Sequence, residues 1–232
     1  MAATLTYIGH SAFQLSDGTK TVLIDPFVTG NPAATISADS LSPDAILITH
    51  AHNDHVGDAI EIAKRVDCPV VTTVELSHVL SSKGVKQVQG GNFGGTLSFP
   101  GGTAKIVPAW HSSTYHDGEN AVAQGIPAGF VVRFGGVTIY FAGDTCLFGD
   151  MALIGDEELD AAMLPIGDYF TMGPADAVKA AKLLRAPLIV PCHYNTFPPI
   201  KQDGAAFKAN IESKTEAKAA ILKPGEQVQI GA

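Results

Sequence analysis

The chain has 232 residues, 46% of them hydrophobic and 16% charged, and carries a formal net charge of −8. That is ample apolar material for a core and unlike the composition of a disordered chain. It has no lysine or arginine run, which argues against a nucleic-acid partner. It also has no uninterrupted apolar stretch of the roughly 18 residues that a membrane-spanning helix needs.

Leu5-Thr6-Tyr7-Ile8 alternates as a strand does and takes the place of a basic, then apolar, signal segment. Three cysteines, Cys68, Cys146 and Cys192, are odd in number and without pattern. The expectation is a cytoplasmic protein with no membrane contact and no disulfide framework. Gly9-His10-Ser11 breaks the first strand. Residues 12–15 and 21–24 read as a hairpin around Ser16-Asp17-Gly18-Thr19, ending at Asp25-Pro26. Residues 29–44 read as an irregular loop, and residues 45–48 as a short buried strand.

That strand runs into Thr49-His50-Ala51-His52-Asn53-Asp54-His55, with three imidazoles and a carboxylate in six positions. These are the nitrogen and oxygen ligands of zinc and similar metals. Asp58, with Glu61 three residues on, reads as the cap of the next helix. The ligand-rich stretch therefore sits at the carboxyl end of a strand, where open α/β sheets bind ligands. Further on, residues 70–72 read as a strand and 74–81 as a helix closed by Gly84. The paired glycines 90–91, 94–95 and 101–102 within residues 85–109 suggest an antiparallel meander.

Residues 112–128 read as a polar loop walling a site. Residues 130–134 and 137–141 form a second hairpin that ends Ala142-Gly143-Asp144, echoing the first hairpin and its Asp25 as a faint internal repeat. Gly173-Pro174 opens a helix to Arg185, and residues 188–190 form a strand toward His193. A helix near 204–212 and a strand near 218–222 follow. No linker divides the chain, so residues 1–232 read as one domain.

Four apolar runs thus lead to candidate ligands: residues 46–48 to His50, 106–107 to His111, 137–141 to Asp144 and 188–190 to His193. Sharing one sheet orientation would bring their ends together, since neighbouring strands lie about 4.8 Å apart. With His52, Asp54 and His55 the set is too large for one tetrahedral ion and suits two, with a carboxylate shared. Asp25 has two readings, a support for a ligand histidine or a turn former. His78, His116, Cys146, Cys192 and the acidic run Asp156-Glu157-Glu158 read as ordinary packing or surface residues.

The stretch from His50 to His55 matches the H-x-H-x-D-H motif of the metallo-β-lactamase superfamily, and His111, Asp144 and His193 follow in that superfamily's order. The chain resembles this superfamily over essentially its whole length. Residues 7–13, 172–174 and 193–198 are similar to prokaryotic metal-dependent hydrolases related to L-ascorbate-6-phosphate lactonase. The resemblance implies an α/β fold, a four-layer αββα sandwich with the metals at one end. It implies one ion on His50, His52 and His111, a second on Asp54, His55 and His193, and Asp144 bridging. The implied cofactor is a pair of divalent ions, zinc favoured, with Mn2+, Fe2+ and Ni2+ as alternatives.

The expected reaction is hydrolysis by a metal-activated hydroxide of a small ester, lactone, thioester or phosphodiester. Asp54 is a candidate to orient the hydroxide. His10 and Tyr194 are candidates to protonate the leaving group. The expected partner is a small molecule, neither nucleic acid nor membrane, with homo-oligomerisation left open. The competing readings are a non-catalytic metal sensor and, more distantly, an RNA-processing phosphodiesterase. Di-iron flavoproteins share the fold but carry a carboxylate where His52 stands, and a flavodoxin domain.

Overall fold

A computed structural model describes residues 2–231. In chain order its elements are strands β1 (Ala3–Gly9), β2 (Ala12–Ser16), β3 (Thr21–Ile24) and β4 (Ala45–Leu47), then helices α1 (Asn53–Val56) and α2 (Ala59–Val66). Next come β5 (Val70–Thr73), α3 (Val74–Ser82), β6 (Val88–Gly91), β7 (Thr96–Phe99), β8 (Gly102–Pro108), β9 (Thr114–Asp117) and β10 (Asn120–Ala123). The chain continues through β11 (Ala128–Phe134), β12 (Val137–Phe141), α4 (Met151–Gly155), β13 (Ala161–Pro165) and α5 (Pro174–Leu184). It ends with β14 (Leu188–Cys192), α6 (Gly204–Lys214), β15 (Lys218–Ala219) and β16 (Gln227–Ile230).

Two seven-stranded sheets result, in the orders β16-β1-β2-β3-β4-β5-β6 and β15-β14-β13-β12-β11-β8-β7. The antiparallel β1 alternates, with Ala3, Leu5 and Tyr7 buried and Thr4 and Thr6 half-buried. The parallel strands β4, β5 and β13 are buried along their whole length, as strands covered on both faces must be. One core lies between the sheets, where Phe13, Leu15, Ile24 and Leu47 of the first meet Phe130, Phe134, Ile139 and Met163 of the second. A second core packs the outer face of the second sheet on α4, α5 and α6 through Tyr140, Leu164, Leu184 and Phe207. A third packs the first sheet on α2 and α3 through Ile46, Ile48, Ile62 and Leu76. Three cores between four layers are the expected αββα sandwich. No helix among the described residues is long and apolar enough to cross a membrane.

The internal repeat extends well beyond two hairpins. In the first sheet β1-β2-β3 pair antiparallel and β3-β4-β5-β6 pair parallel. In the second, β8-β11-β12 pair antiparallel and β12-β13-β14-β15 pair parallel. Both halves therefore repeat one six-strand pattern, with an aspartate shortly after the third strand of each.

Several local expectations are corrected. Residues 85–109 are not one meander: β6 joins β5 in parallel in the first sheet, while β7 and β8 pair antiparallel in the second. The glycines of β6 mark close approach and not a turn. A Cβ on Gly91 would lie 2.7 Å from Ile106 Cδ1 and 2.9 Å from Leu97 Cδ1. Residues 112–128 are not a plain loop, since β9 and β10 pair as an outlying hairpin. Asp58 stands at the start of α2 but makes no capping bond. Its carboxylate instead accepts the backbone N–H groups of Val28 and Thr29, at 2.9 and 2.8 Å. Residues 145–172 hold α4 and β13. Asp156 and Glu157 of the acidic run are ion-paired, with Arg185 and with Lys105 and Arg133.

Close packing between α4 and α5 yields a test remote from any site. A Cβ on Gly155 would lie 2.5 Å from Leu183 O, whereas one on Gly149 meets nothing within 4 Å. Gly155→Ala is expected to cost about 1–3 kcal/mol. Gly149→Ala should stay within about 0.5 kcal/mol. Urea unfolding midpoints of the two variants check this, and equal midpoints would contradict the packing.

Candidate metal centre

The ligand-bearing strands do not share one sheet. β4 lies in the first, and β8, β12 and β14 in the second. The site therefore lies across the ends of both sheets. After β4, the single turn of α1 closes with His55 N–H donating to His52 O at 3.0 Å, which folds His50, His52, Asp54 and His55 onto one another. The Ser113 hydroxyl accepts Ala51 N–H at 3.1 Å and ties this turn to the loop after β8. Asp144 follows β12 through Gly143, whose φ is +60° and whose hypothetical Cβ would be 2.9 Å from Ala128 O. Only glycine fits that approach without strain. His193 follows β14, with its N–H donating to His10 O at 2.8 Å. His10, Asp25 and His193 all have left-handed backbone, at φ 59°, 45° and 53°. Each such residue costs on the order of 1–3 kcal/mol and persists only where its surroundings impose it.

All seven expected residues come together. One group of donor atoms unites His50, His52 and His111, a second unites His10, Asp54, His55 and His193, and a third, His50, His55 and Asp144, joins the two. Within each group the donor atoms lie within 4.8 Å of one another. Asp144 reaches toward His55 Nε2 at 3.4 Å, His111 Nε2 at 3.6 Å and His193 Nε2 at 3.0 Å. Among the described residues four buried side-chain atoms lack a hydrogen-bond partner, and three of them are His55 Nε2, Asp144 Oδ1 and His193 Nδ1. Orphaned buried polar atoms cost about 1–3 kcal/mol each. Their concentration here, in an all nitrogen and oxygen donor set, fits divalent cations.

Asp25 orders the histidines. Its carboxylate is buried and accepts Thr49 N–H at 2.8 Å, the Thr49 hydroxyl at 2.7 Å and His55 Nδ1–H at 2.7 Å. With its hydrogen given to Asp25, the Thr49 oxygen accepts from His50 Nδ1, 3.0 Å away. One carboxylate thus fixes the tautomer of both His50 and His55 and turns each Nε2 toward the other ligands. Of its two sequence readings, support for a ligand histidine is the one the geometry realises.

Burial lowers the pKa of His50, His52 and His111, which favours the neutral, ligating imidazole. Burial also opposes a charge on His55, but the Asp144 and Asp25 carboxylates overcome it and hold its pKa well above the ordinary value. For Asp144 burial pushes upward, and the facing His193 and His55 outweigh it, so the carboxyl lies well below its usual range.

The site opens into a cleft of about 460 Å³ lined by His52, Asn53, Asp54, His111, Asp144 and His193, together with Ser112, His116, Phe170 and Phe197. His116 was read as an ordinary loop histidine, yet β9 carries it to the cleft wall. The signal was its place inside the polar segment already read as a wall. Phe170 carried no sequence signal, and Phe197 entered only within the stretch 193–198 that carries the family resemblance. His78 is exposed on α3, away from the cleft. His10 is fully buried behind Asp54 and does not line the cleft. Tyr194 packs in the outer core with Phe207 and Ile211. Cys192 is buried between the sheets, Cys146 is exposed, and neither falls in a donor group.

Residues 4–193 match the family model of the beta-lactamase superfamily domain. The UPF0173 metal-dependent hydrolase of Thermus thermophilus is 51% identical over 224 residues, with 97% of each chain covered. That of Archaeoglobus fulgidus is 46% identical, covering 97% of this chain and 98% of its own. Among solved structures, Igni18, a metallo hydrolase from the archaeon Ignicoccus hospitalis, superposes with a TM-score of 0.89 at 39% identity, covering 99% of this chain and 98% of that one.

Metal content separates the two aspartates. Asp144→Asn removes a charge that faces both histidine groups and is expected to lose at least one ion per chain. Asp25→Asn leaves the ligands in place but disorders two of them, and should weaken metal binding roughly 10–100-fold. The double change of Cys146 and Cys192 to Ser should leave metal content unaltered. Elemental analysis after dialysis against graded chelator, with circular dichroism as fold control, checks all three. Two ions retained by Asp144→Asn would require the ligand set to be redrawn.

Proposed function

The chain belongs to the beta-lactamase superfamily and, within it, to the UPF0173 metal-dependent hydrolases, and on that premise we propose that it cleaves a small uncharged carbonyl substrate, an ester, lactone or thioester, with two divalent ions. His50, His52 and His111 would hold one ion, Asp54, His55 and His193 the other, and Asp144 would reach both. Zinc suits this nitrogen and oxygen set best. Ions bound there would supply Lewis acidity and bring the pKa of a coordinated water to about 7.

The observation that supports a carbonyl substrate over a phosphodiester is the cleft lining. Among its lining residues there is no lysine or arginine, while Asp54 and Asp144 both face it. Phosphodiester and RNA sites use such cations to hold the anionic ligand.

The chain's own residues then divide the work. Burial raises the pKa of Asp54, but its hydrogen bond from His10 more than offsets this and keeps the carboxylate ionised. About a third of its side chain is exposed, so it can accept a hydrogen bond from the attacking water and orient it. His10 acts behind it. His10 Nε2 lies 3.0 Å from Asp54 Oδ2, and Nδ1 lies 3.0 Å from Thr196 Oγ1. A carboxylate only accepts, so Nε2 carries the proton and the Thr196 hydroxyl donates to Nδ1. Burial lowers the His10 pKa, in keeping with that neutral form. Its enclosed position makes it a positioning residue for Asp54 and speaks against a proton donor to the leaving group.

Metal-loaded protein is expected to hydrolyse members of an ester, lactone and thioester panel, to lose that activity on chelation, and to leave bis(4-nitrophenyl) phosphate nearly untouched. Faster turnover of the phosphodiester would overturn the substrate class. His10→Ala should lower kcat at least tenfold with little change in KM, and His10→Gln, which keeps an N–H donor, should recover part of it. Equal loss in both variants would count against the hydrogen bond as the cause.

A further inference from the structure

The cleft mouth carries apolar surface that the hydrolytic chemistry does not need. Phe170 is 54% and Phe197 36% exposed, yet both line the same cleft as the imidazoles and carboxylates. Tyr169, 72% exposed, stands edge-on to Phe170 with ring centroids 4.7 Å apart. Exposed aromatic rings in a concave polar site mark ligand contact more readily than scattered surface residues do.

The loops that carry both rings are pinned by hydrogen bonds. The turn bearing Phe170 closes through Thr171 N–H to Asp168 O at 3.1 Å and Asp168 N–H to Met172 O at 3.2 Å. It is anchored beside Asp144 by Met172 N–H to Thr145 O at 2.9 Å. Asp168 has φ +73°, and a Cβ on Gly173 would crowd its carboxylate at 3.0 Å. The turn bearing Phe197 closes through Ile200 N–H to Phe197 O at 3.1 Å and Asn195 N–H to Ile200 O at 2.9 Å. Gln202 links the two loops, its side chain donating to Gly167 O at 3.1 Å while its backbone N–H donates to Asn195 Oδ1 at 2.8 Å. The Phe197 ring packs edge-on against the buried His10 ring at 5.6 Å. Loops ordered before binding need not be ordered by the ligand, which spares that part of the entropy cost.

The other lining groups differ in kind. Asn53, Ser112 and His116 come from α1 and the segment after β8, and they are polar and without permanent positive charge. The loops after β13 and β14 supply the apolar share. A cleft of about 460 Å³ is of the size that takes a small molecule.

We propose that Phe170 and Phe197 form an apolar subsite that selects substrates bearing an aryl group, with the reacting carbonyl toward the ligand-bearing floor. This deepens the reading above and rests on it for the reaction. Water oxygen bonds to the carbonyl carbon, the bond from that carbon to the alkoxy oxygen or thioester sulfur breaks, and a proton from water passes to the departing group. The products are a carboxylic acid and an alcohol or thiol, with no change in oxidation state.

Binding and turnover test the subsite separately. Calorimetry on the metal-loaded protein with phenylacetamide and acetamide, which share the carbonyl group, reads the aryl contribution to binding. Phenylacetamide is expected to bind at least tenfold tighter. Phe170→Ala and Phe197→Ala should each erase most of that ratio, and Phe170→Leu should keep part of it. Hydrolysis of ethyl phenylacetate against ethyl acetate should show a kcat/KM ratio that collapses toward one in the alanine variants. Because both rings are exposed, metal content and circular dichroism should not change, which separates a lost subsite from a lost fold. Equal binding of the two amides, or a preference that survives both alanine variants, would overturn the proposal. If no ester is cleaved but the amide preference holds and depends on the two rings, the reaction assignment fails and the subsite stands. If esters are cleaved without aryl preference, the subsite alone fails.

Discussion

The buried carboxylate of Asp25 is the constraint on which the site depends. It accepts three hydrogen bonds, two from Thr49 and one from His55. Through the Thr49 hydroxyl it also governs His50. Charge-assisted bonds of this kind contribute about 1.5–3 kcal/mol each. Their larger effect here is directional, since each fixes which ring nitrogen carries a proton and so which one can ligate. His50 belongs to the group with His52 and His111, His55 to the group with Asp54 and His193, and the two meet in the third group with Asp144, so one carboxylate orders an imidazole on each side of the site.

Asp25 has a counterpart. It follows β3 of the first half, as Asp144 follows β12 of the second, in halves with the same strand pattern. The two aspartates have diverged in task. The first is turned toward imidazole N–H groups and acts behind the ligands. The second faces the Nε2 atoms of His55, His111 and His193 themselves. Packing the halves face to face around one apolar core brings both aspartates to the same end of the sandwich. The site is thus a product of the interface between the repeats, and neither half could assemble it alone.

Strain and unmet polar groups gather at this end of the molecule. His10, Asp25 and His193 hold left-handed backbone, and three orphaned polar atoms lie among the donor groups. The three cores offset these costs, with parallel strands buried on both faces and helices closing the outside. The loops that carry Phe170 and Phe197 are likewise pinned by backbone hydrogen bonds, so the backbone of the apolar mouth is preorganised as well. A binding site built on rigid elements keeps its geometry without needing a ligand to impose it.

The amino-acid sequence by itself determined the layer architecture and picked out the seven candidate ligands that the fold brings together. Metal chemistry admits few residue types, and the stretch from His50 to His55 compresses four of them into one strand-to-helix loop. His111, Asp144 and His193 could be picked out because each follows an apolar run, and a strand has to deliver its next residue at the sheet edge. Local spacing could not say that the chain crosses from the first sheet to the second between β6 and β7, because pairing partners are chosen by burial across the whole fold. It left Asp25 between two readings, because a turn former and a buried acceptor look alike until Thr49 and His55 arrive beside it. It missed His116 and Phe170, whose chemistry is ordinary and whose importance lies only in the cleft they face. It offered His10 as a proton donor, which the tertiary structure encloses behind Asp54. In each of these cases the deciding neighbour comes from a different element of the fold, and only folding determines which groups are shielded from water and which remain open to a ligand.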